Sequence, residues 1–386
     1  MEANPALGVV LHAIGGLASA SFYIPYKRVR RWSWETYWLT GGFFAWVVAP
    51  WVLLFLLAPK GLEVLAQTPA KTLLWTYFFG ALWGIGGLTF GLTMRYLGIA
   101  LGYAIALGLC ALFGTLVPPV FKGEFGQIAH SFGGQIELAG VLVCLVGIAG
   151  SGLAGISKER ELSPEKKKES VREFNLVKGL LVAVFAGVMS ACMNFGFEAG
   201  KPIAKLAVHN GAEELWQNLP VLVVVLAGGF TTNLIWCIIL NIRNKSGGQY
   251  VGRGCLPASP GEPGGTPATL VVNYVLCALA GTTWYMQFFF YGMGATKMGE
   301  YGFSSWTLHM ASIIIFSTFW GLGLKEWHGT SARTKKWVAA GLALLILSMV
   351  IIGAGTHRRT ADAKAAEAAK AAQMQQTLTQ PAKETP

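Results

Sequence analysis

The chain has 386 residues, 53% of them hydrophobic and only 13% charged, with a mean hydropathy of +0.50. A soluble domain carries roughly 25% charged residues, so this composition excludes an ordinary water-soluble fold. The net charge of +11 would suit nucleic acid in a soluble basic domain, but here the basic residues lie between apolar stretches, where they orient a chain in a bilayer. The six cysteines, at 110, 144, 192, 237, 255 and 277, show neither metal-ligand spacing nor a disulfide framework. The first residues, MEANPALGVV, lack the basic start of a cleaved signal peptide.

A spanning helix needs about 20 apolar residues. Ten stretches qualify: 6–26, 35–57, 73–95, 98–119, 134–156, 176–198, 219–242, 269–292, 303–324 and 335–355. The expected fold class is therefore an all-α membrane protein with ten transmembrane helices. The third and fourth stretches join through a very short turn at 95–98. They carry glycines at four-residue spacing: Gly80/Gly84, Gly87/Gly91 and Gly98/Gly102. That spacing clears one helix face for a close neighbour, so all three pairs are expected at helix contacts. Three segments fall outside the spans. The linker 157–178 is charged and solvated. The Gly/Pro-rich loop 244–267 is too poor in apolar residues to fold. The Ala/Lys/Gln-rich tail 356–386 is helical to about residue 376 and disordered beyond it.

With the N-terminus outside, the inner loops hold 19 of the 30 Lys and Arg residues. That bias places both termini outside. The chain also repeats itself. Gly8, Gly16, Ser19 and Ala20 match Gly179, Gly187, Ser190 and Ala191; Gly80, Trp83, Gly91 and Gly98 match Gly281, Trp284, Gly292 and Gly299. The units are 1–156 and 179–355, five spans each. Because five is odd, the second unit must be inverted relative to the first. Inverted repeats accompany alternating access, with the substrate held between them near mid-membrane.

Polar groups inside spans are costly and so point to function. Trp284, Gln287 and Tyr291 share a face of the eighth span. Trp306 and His309 share a face of the ninth. Asn194 in the sixth stands at the repeat position of Tyr23 in the first, and Trp83 lies in the third. His12, Tyr103, Tyr285 and Asn273 are further polar or aromatic groups in the spans. Aromatic faces with uncharged hydrogen-bonding groups suit a polar, uncharged ligand such as a sugar. No intramembrane Lys or Arg cluster offers itself to an anion. Trp284 and Tyr291 also fit an aromatic belt, and Gln287 fits helix–helix glue. Enzyme motifs are missing: the sequence has no GxxxxGK[ST], no HExxH and no CxxC.

Five stretches carry a family resemblance: KRVRRWSWETYW (27–38), FGALWGIGGLTFGLTMRYLGIALG (79–102), EFNLVKGL (173–180), WYMQFFFYGMG (284–294), and SSWTLHM with LKEW (304–310, 324–327). Through them the chain resembles the L-rhamnose–proton symporter family of the drug/metabolite transporter superfamily. The resemblance implies ten spans in a five-plus-five inverted repeat. It implies uptake of a 6-deoxyhexose with a proton, by alternating access, across a bacterial inner membrane. Sugar, protons and the lipid bilayer are then the expected partners, with no nucleic acid. No cofactor is expected beyond the proton as coupling ion. An exporter or exchanger of the same superfamily is the alternative, and a sugar sensor without transport a further one. The substrate groups are Gln287, Trp284, Tyr291, Trp306, Asn194, Trp83 and Tyr23. A coupled proton needs a group that titrates near neutral pH, and histidine is the side chain whose ordinary value lies there. His309 is the first candidate, with Glu198 and Glu35 next; Glu300 and Glu198 are carboxylates that could act beside it.

Overall fold

The computed structural model describes residues 4–97, 99–161, 175–257, 267–298 and 302–379. Gly98, Glu300, most of the 157–178 linker, positions 258–266 of the Gly/Pro-rich loop and the end of the tail from 380 lie outside the described residues, as do the side chains of Arg95 and Tyr103.

The described residues form helices and no strand, and ten of the helices are long and apolar enough to cross a membrane. They are α1 (Pro5–Tyr26) and α2 (Trp34–Leu57), then α3 (Ala70–Leu97), α4 (Ile99–Phe121), α5 (Phe132–Arg160), α6 (Leu176–Ala199), α7 (Leu219–Asn244), α8 (Pro267–Lys297), α9 (Ser305–Gly323) and α10 (Ala332–Thr379). Local chemistry sets several of the boundaries. The Asn4 side chain caps α1 by accepting from the Leu7 N–H, and Pro5 fills the first turn, where its missing N–H costs nothing. Ser131 and Asn175 cap α5 and α6 in the same way. α2 widens into a π turn over Phe44–Val48, just ahead of Pro50, which has no N–H to give the helix ladder. Such turns recur at functional sites, and this one holds the buried Trp46.

α5 packs along α10, α3 against α6 and α7, and α1 against α8 and α9. α4 meets α5, α6 and α9, while α2 meets α7 and α8. These pairings recur five helices apart: α1/α8 with α6/α3, α1/α9 with α6/α4, α2/α8 with α7/α3, and α4/α5 with α9/α10.

The glycine stripe of α3 is in contact over only half its length. A Cβ on Gly80 would lie 1.9 Å from the Val225 carbonyl oxygen of α7, and one on Gly84 2.0 Å from Thr232 Oγ1. At Gly87 and Gly91 a Cβ would meet nothing within 4 Å. The expected contact at 87/91 is therefore corrected. The four glycines share one stripe, but the contact with α7 extends only from Gly80 to Gly84.

The loop after α7 also departs from expectation in its described part. Gln249 is buried and accepts from the Ser33 N–H (2.7 Å) and the Thr36 hydroxyl (2.9 Å) at the start of α2. Tyr274 donates to the Tyr250 carbonyl at 2.8 Å. Polar side chains fold this segment onto α2 in place of an apolar core. The tail is helical three residues further than expected, to Thr379.

The bundle has two ends. At one, the Asn4 N–H bonds the Lys297 carbonyl at 2.9 Å, joining the start of α1 to the end of α8. At the other, Lys27 pairs with Glu326 at 3.5 Å, and Trp320 Nε1 donates to Ser21 Oγ at 2.9 Å. There Asn273 also clasps Arg30, accepting from its N–H and donating to its carbonyl.

Candidate functional site

Two layers of side chains meet where α1, α8 and α9 pack against α2, α3, α4 and α6. The first is aromatic. The rings of Trp83 on α3 and Trp284 on α8 lie 5.5 Å apart. Trp46 stands nearly perpendicular to Trp284, also at 5.5 Å. Phe288 closes the group, 5.1 Å from Trp284 and 5.6 Å from Trp83, and Phe22 of α1 approaches Trp284 at 6.4 Å. Between Trp46 and Trp284 is a crevice of about 10 Å³, lined in part by Gly41, Gly42 and Gly281. Ligand pockets begin at roughly 300 Å³, so the rings here are nearly closed on one another. Gly281 is required at this crossing: a Cβ would lie 2.1 Å from the Gly41 carbonyl oxygen.

The second layer is polar. The Tyr291 hydroxyl donates to Asn194 Oδ1 at 2.6 Å, and Asn194 Nδ2 donates to the Gly114 carbonyl at 2.8 Å. One chain of hydrogen bonds thus ties α8 to α6 and α4. Trp306 Nε1 donates to the Cys110 carbonyl at 3.1 Å, and its ring stands edge-on to Tyr291 at 5.4 Å. The imidazoles of His309 and His12 each lie 5.3 Å from the Tyr291 ring and 6.5 Å from one another. Both histidines are fully buried, and among the described residues none of their four ring nitrogens has a hydrogen-bond partner. Glycines make the room. A Cβ on Gly294 would lie 2.9 Å from His12 Cε1, and one on Gly114 2.3 Å from Trp306 Cδ1. Phe288, 6.3 Å from His309, bridges the two layers.

The structure brings Trp83 to Trp284, and Asn194, Tyr291, Trp306 and His309 to one another. Gln287 is buried on α8, one turn from both Trp284 and Tyr291, and its backbone carbonyl abuts Gly15 of α1. Three expected site residues stand elsewhere. Tyr23 is 43% exposed and packs on Phe22 and Tyr26 at the end of α1. Glu198 lies at the α8-terminus end of the bundle, paired with Lys201 at 2.9 Å and with Lys122. Glu35 is buried at the opposite end, accepting from Ser246 Oγ (2.6 Å) and Asn244 Nδ2 (3.0 Å). It anchors the folded loop onto α2. Sequence reasoning missed Trp46 and Phe288, which have no polar signal, and the pairing of His12 with His309, which only the α1/α9 contact creates. Of the other polar residues in the spans, Tyr285 is buried away from both layers against Phe289. Among the described residues no group of three or more His, Cys, Asp or Glu could hold a metal ion.

The model of the L-rhamnose-proton symport protein family matches residues 1–358. A curated protein of Yersinia pestis (strain Pestoides F), named L-rhamnose-proton symporter, is 38% identical over 352 residues, covering 90% of this chain and 97% of its own length. One of the same name from Klebsiella pneumoniae subsp. pneumoniae is 38% identical over the same spans.

Proposed function

Because the chain belongs to the L-rhamnose–proton symport protein family, we propose that it imports L-rhamnose, or a related 6-deoxyhexose, together with a proton across a bacterial inner membrane. One observation carries this reading. The tryptophan layer of Trp83, Trp284 and the buried Trp46 lies next to uncharged hydrogen-bonding groups. A 6-deoxyhexose is amphipathic in the same way. Its C–H face and methyl group pack on rings, while its hydroxyls need amides and phenols.

In this reading the sugar sits between the two layers. Trp83 and Trp284 stack on it, and Gln287, Tyr291 and Asn194 bond its hydroxyls. Trp306 holds Tyr291 edge-on. His309, in the polar layer, carries the proton. Glu198 and Glu35 are weaker candidates, since each already holds structural partners at an end of the bundle.

Transport proceeds by rocking of two inverted units against each other, and the paired helix contacts support this. Matched glycines make matched crossings: Gly80 meets the Val225 carbonyl of α7, while Gly281 meets the Gly41 carbonyl of α2. Gly16 abuts Ser312 of α9, while Gly187 abuts Leu109 of α4. A twofold arrangement of this kind allows one closed gate to open as its counterpart closes. Both termini are assigned to the periplasm.

The test is uptake of labelled L-rhamnose into proteoliposomes with and without an imposed pH gradient. Accumulation driven by inward proton flow is expected. Gradient-independent equilibration, or export alone, would overturn the assignment in favour of a carrier of another kind.

A further inference from the structure

His12 is the one buried titratable group of the polar layer that the transport reading leaves without a task. It comes from α1, seven residues after the helix start, whereas His309 comes from α9. Both rings are fully buried and all four nitrogens lack partners among the described residues. Buried polar atoms are nearly always hydrogen-bonded, and an unpaired one costs stability. Two such rings, both against the same phenol, make a built cluster. Ordinary core histidines bond a carbonyl and stay there.

From this geometry we infer that His12 and His309 form a single proton site, with His12 as an equal partner. The inference rests on the symport reading given above. With the centroids 6.5 Å apart, a proton on one imidazole disfavours a second on the other, because like charges in a water-poor interior repel. The pair therefore titrates as one unit. A proton arriving from solvent binds one ring nitrogen as an N–H. It leaves to water when the carrier opens to the other side, and no other bond changes. Other polar groups near the pair come from the helices packed around it. α8 contributes Tyr291, whose hydroxyl is committed to Asn194. α4 contributes Cys110, behind Trp306. Beyond Tyr291 stands Glu198 of α6, interacting with that phenol electrostatically but held by Lys201. His357 of α10 lines a separate groove with Pro5 and Val9. The pair's link to sugar is mechanical: Tyr291 and Phe288 on α8 touch the histidines and the tryptophan layer, respectively.

The experiment compares His12→Gln, His309→Gln and the double variant in proteoliposomes. Each single variant should exchange labelled rhamnose across the membrane yet fail to concentrate it, and the double variant should be no worse than either single one, as groups acting as a unit behave. His12→Gln that accumulates rhamnose with wild-type pH dependence overturns the proposal. So does weakened exchange with accumulation intact, which would assign the ring to the sugar. Should the variants not fold, the wild-type protein decides. In ¹⁵N-histidine-labelled carrier, which holds six histidines, the His12 and His309 signals should shift together through one shared titration. Independent titrations, or none, overturn the proposal. That measurement needs no substrate, so it separates failure of the pair from failure of the rhamnose assignment, which would show as a wild-type protein that moves no rhamnose.

Discussion

The Tyr291 hydroxyl and the Asn194 amide oxygen, 2.6 Å apart and both buried, join one residue from each half of the chain. Tyr291 sits on a helix packed against α1, and Asn194 on one packed against α3 and α4. Replacing Tyr291 with Phe leaves Asn194 Oδ1 unpaired in the interior, at a cost of about 1–3 kcal/mol. Lower thermal stability of the purified carrier and slower rhamnose uptake are expected. Changing Asn194 to Leu as well removes both partners, so the double variant should melt no lower than Tyr291→Phe alone. Strictly additive losses would show that the two residues do not share a bond.

The glycine stripe of α3 separates contact from open surface. Gly80→Ala puts a methyl group against the Val225 carbonyl, 1.9 Å from its oxygen. α3 and α7 must then part, and loss of folded protein on fluorescence-detected size exclusion is expected. Gly87→Ala and Gly91→Ala meet nothing. They should be tolerated, or even stabilising by up to about 1 kcal/mol through helix propensity. Equal sensitivity at all three positions would contradict the open space beside Gly87 and Gly91.

Glu137 of α5 and Arg359 of α10 form a buried ion pair at 3.1 Å, with side chains 0% and 8% exposed. Gly133 and Gly355 let the two helices close around it: a Cβ on Gly133 would lie 2.5 Å from Arg359 Cγ, and one on Gly355 2.7 Å from Glu137 Cγ. Arg359→Ala strands a buried carboxylate, a loss of about 3–5 kcal/mol. Pairing it with Glu137→Met removes the stranded charge and should restore most of the melting temperature. If the single and double variants melt alike, the ion pair does not hold α5 to α10.

How much of this could be read from sequence follows from what each signal measures. Apolar length marks a spanning helix without reference to neighbours, so all ten appear in the sequence and in the fold. The shared face of Trp284, Gln287 and Tyr291 is a property of one helix, and it survives. Partners across helices are another matter. Nothing near His12 names His309, since the contact depends on α1 crossing α9. The π turn that carries Trp46 is a backbone departure with only Pro50 as a clue. Arg359 reads as part of a solvated tail, because the charges and alanines after it hide that α10 continues unbroken. Repeat position pairs Tyr23 with Asn194, yet Tyr23 stands exposed at the end of α1.

Gln287 lies between the two layers on α8, and its amide can both donate and accept. Gln287→Leu keeps the approximate size and removes those groups. A bound hydroxyl would then go unpaired, weakening sugar binding by about 1–3 kcal/mol. A raised apparent KM for rhamnose is expected, with normal insertion and an unchanged pH profile of accumulation. An unchanged KM would return Gln287 to helix packing.

The last prediction concerns which way the chain faces. Ten spans are an even number, so both termini lie on one side. The structure sorts the ends clearly. Asn4, Lys297, Lys122 and Lys201 belong to one end, whereas Lys27, Arg30, Lys158 and Lys325 belong with Glu326 and Trp327 at the other. Lys and Arg near span ends stay cytoplasmic, and in the sequence the loops joining spans on the second side hold 19 of the 30. A fluorescent protein that matures only in the cytoplasm should therefore glow when inserted within 162–174 and stay dark when fused after residue 386. The C-terminal result is clean because α10, at 48 residues, is about 72 Å long, over twice the roughly 30 Å apolar core. Its end is carried well away from the membrane it has crossed. Equal fluorescence at both sites would overturn the assignment of both termini to the periplasm.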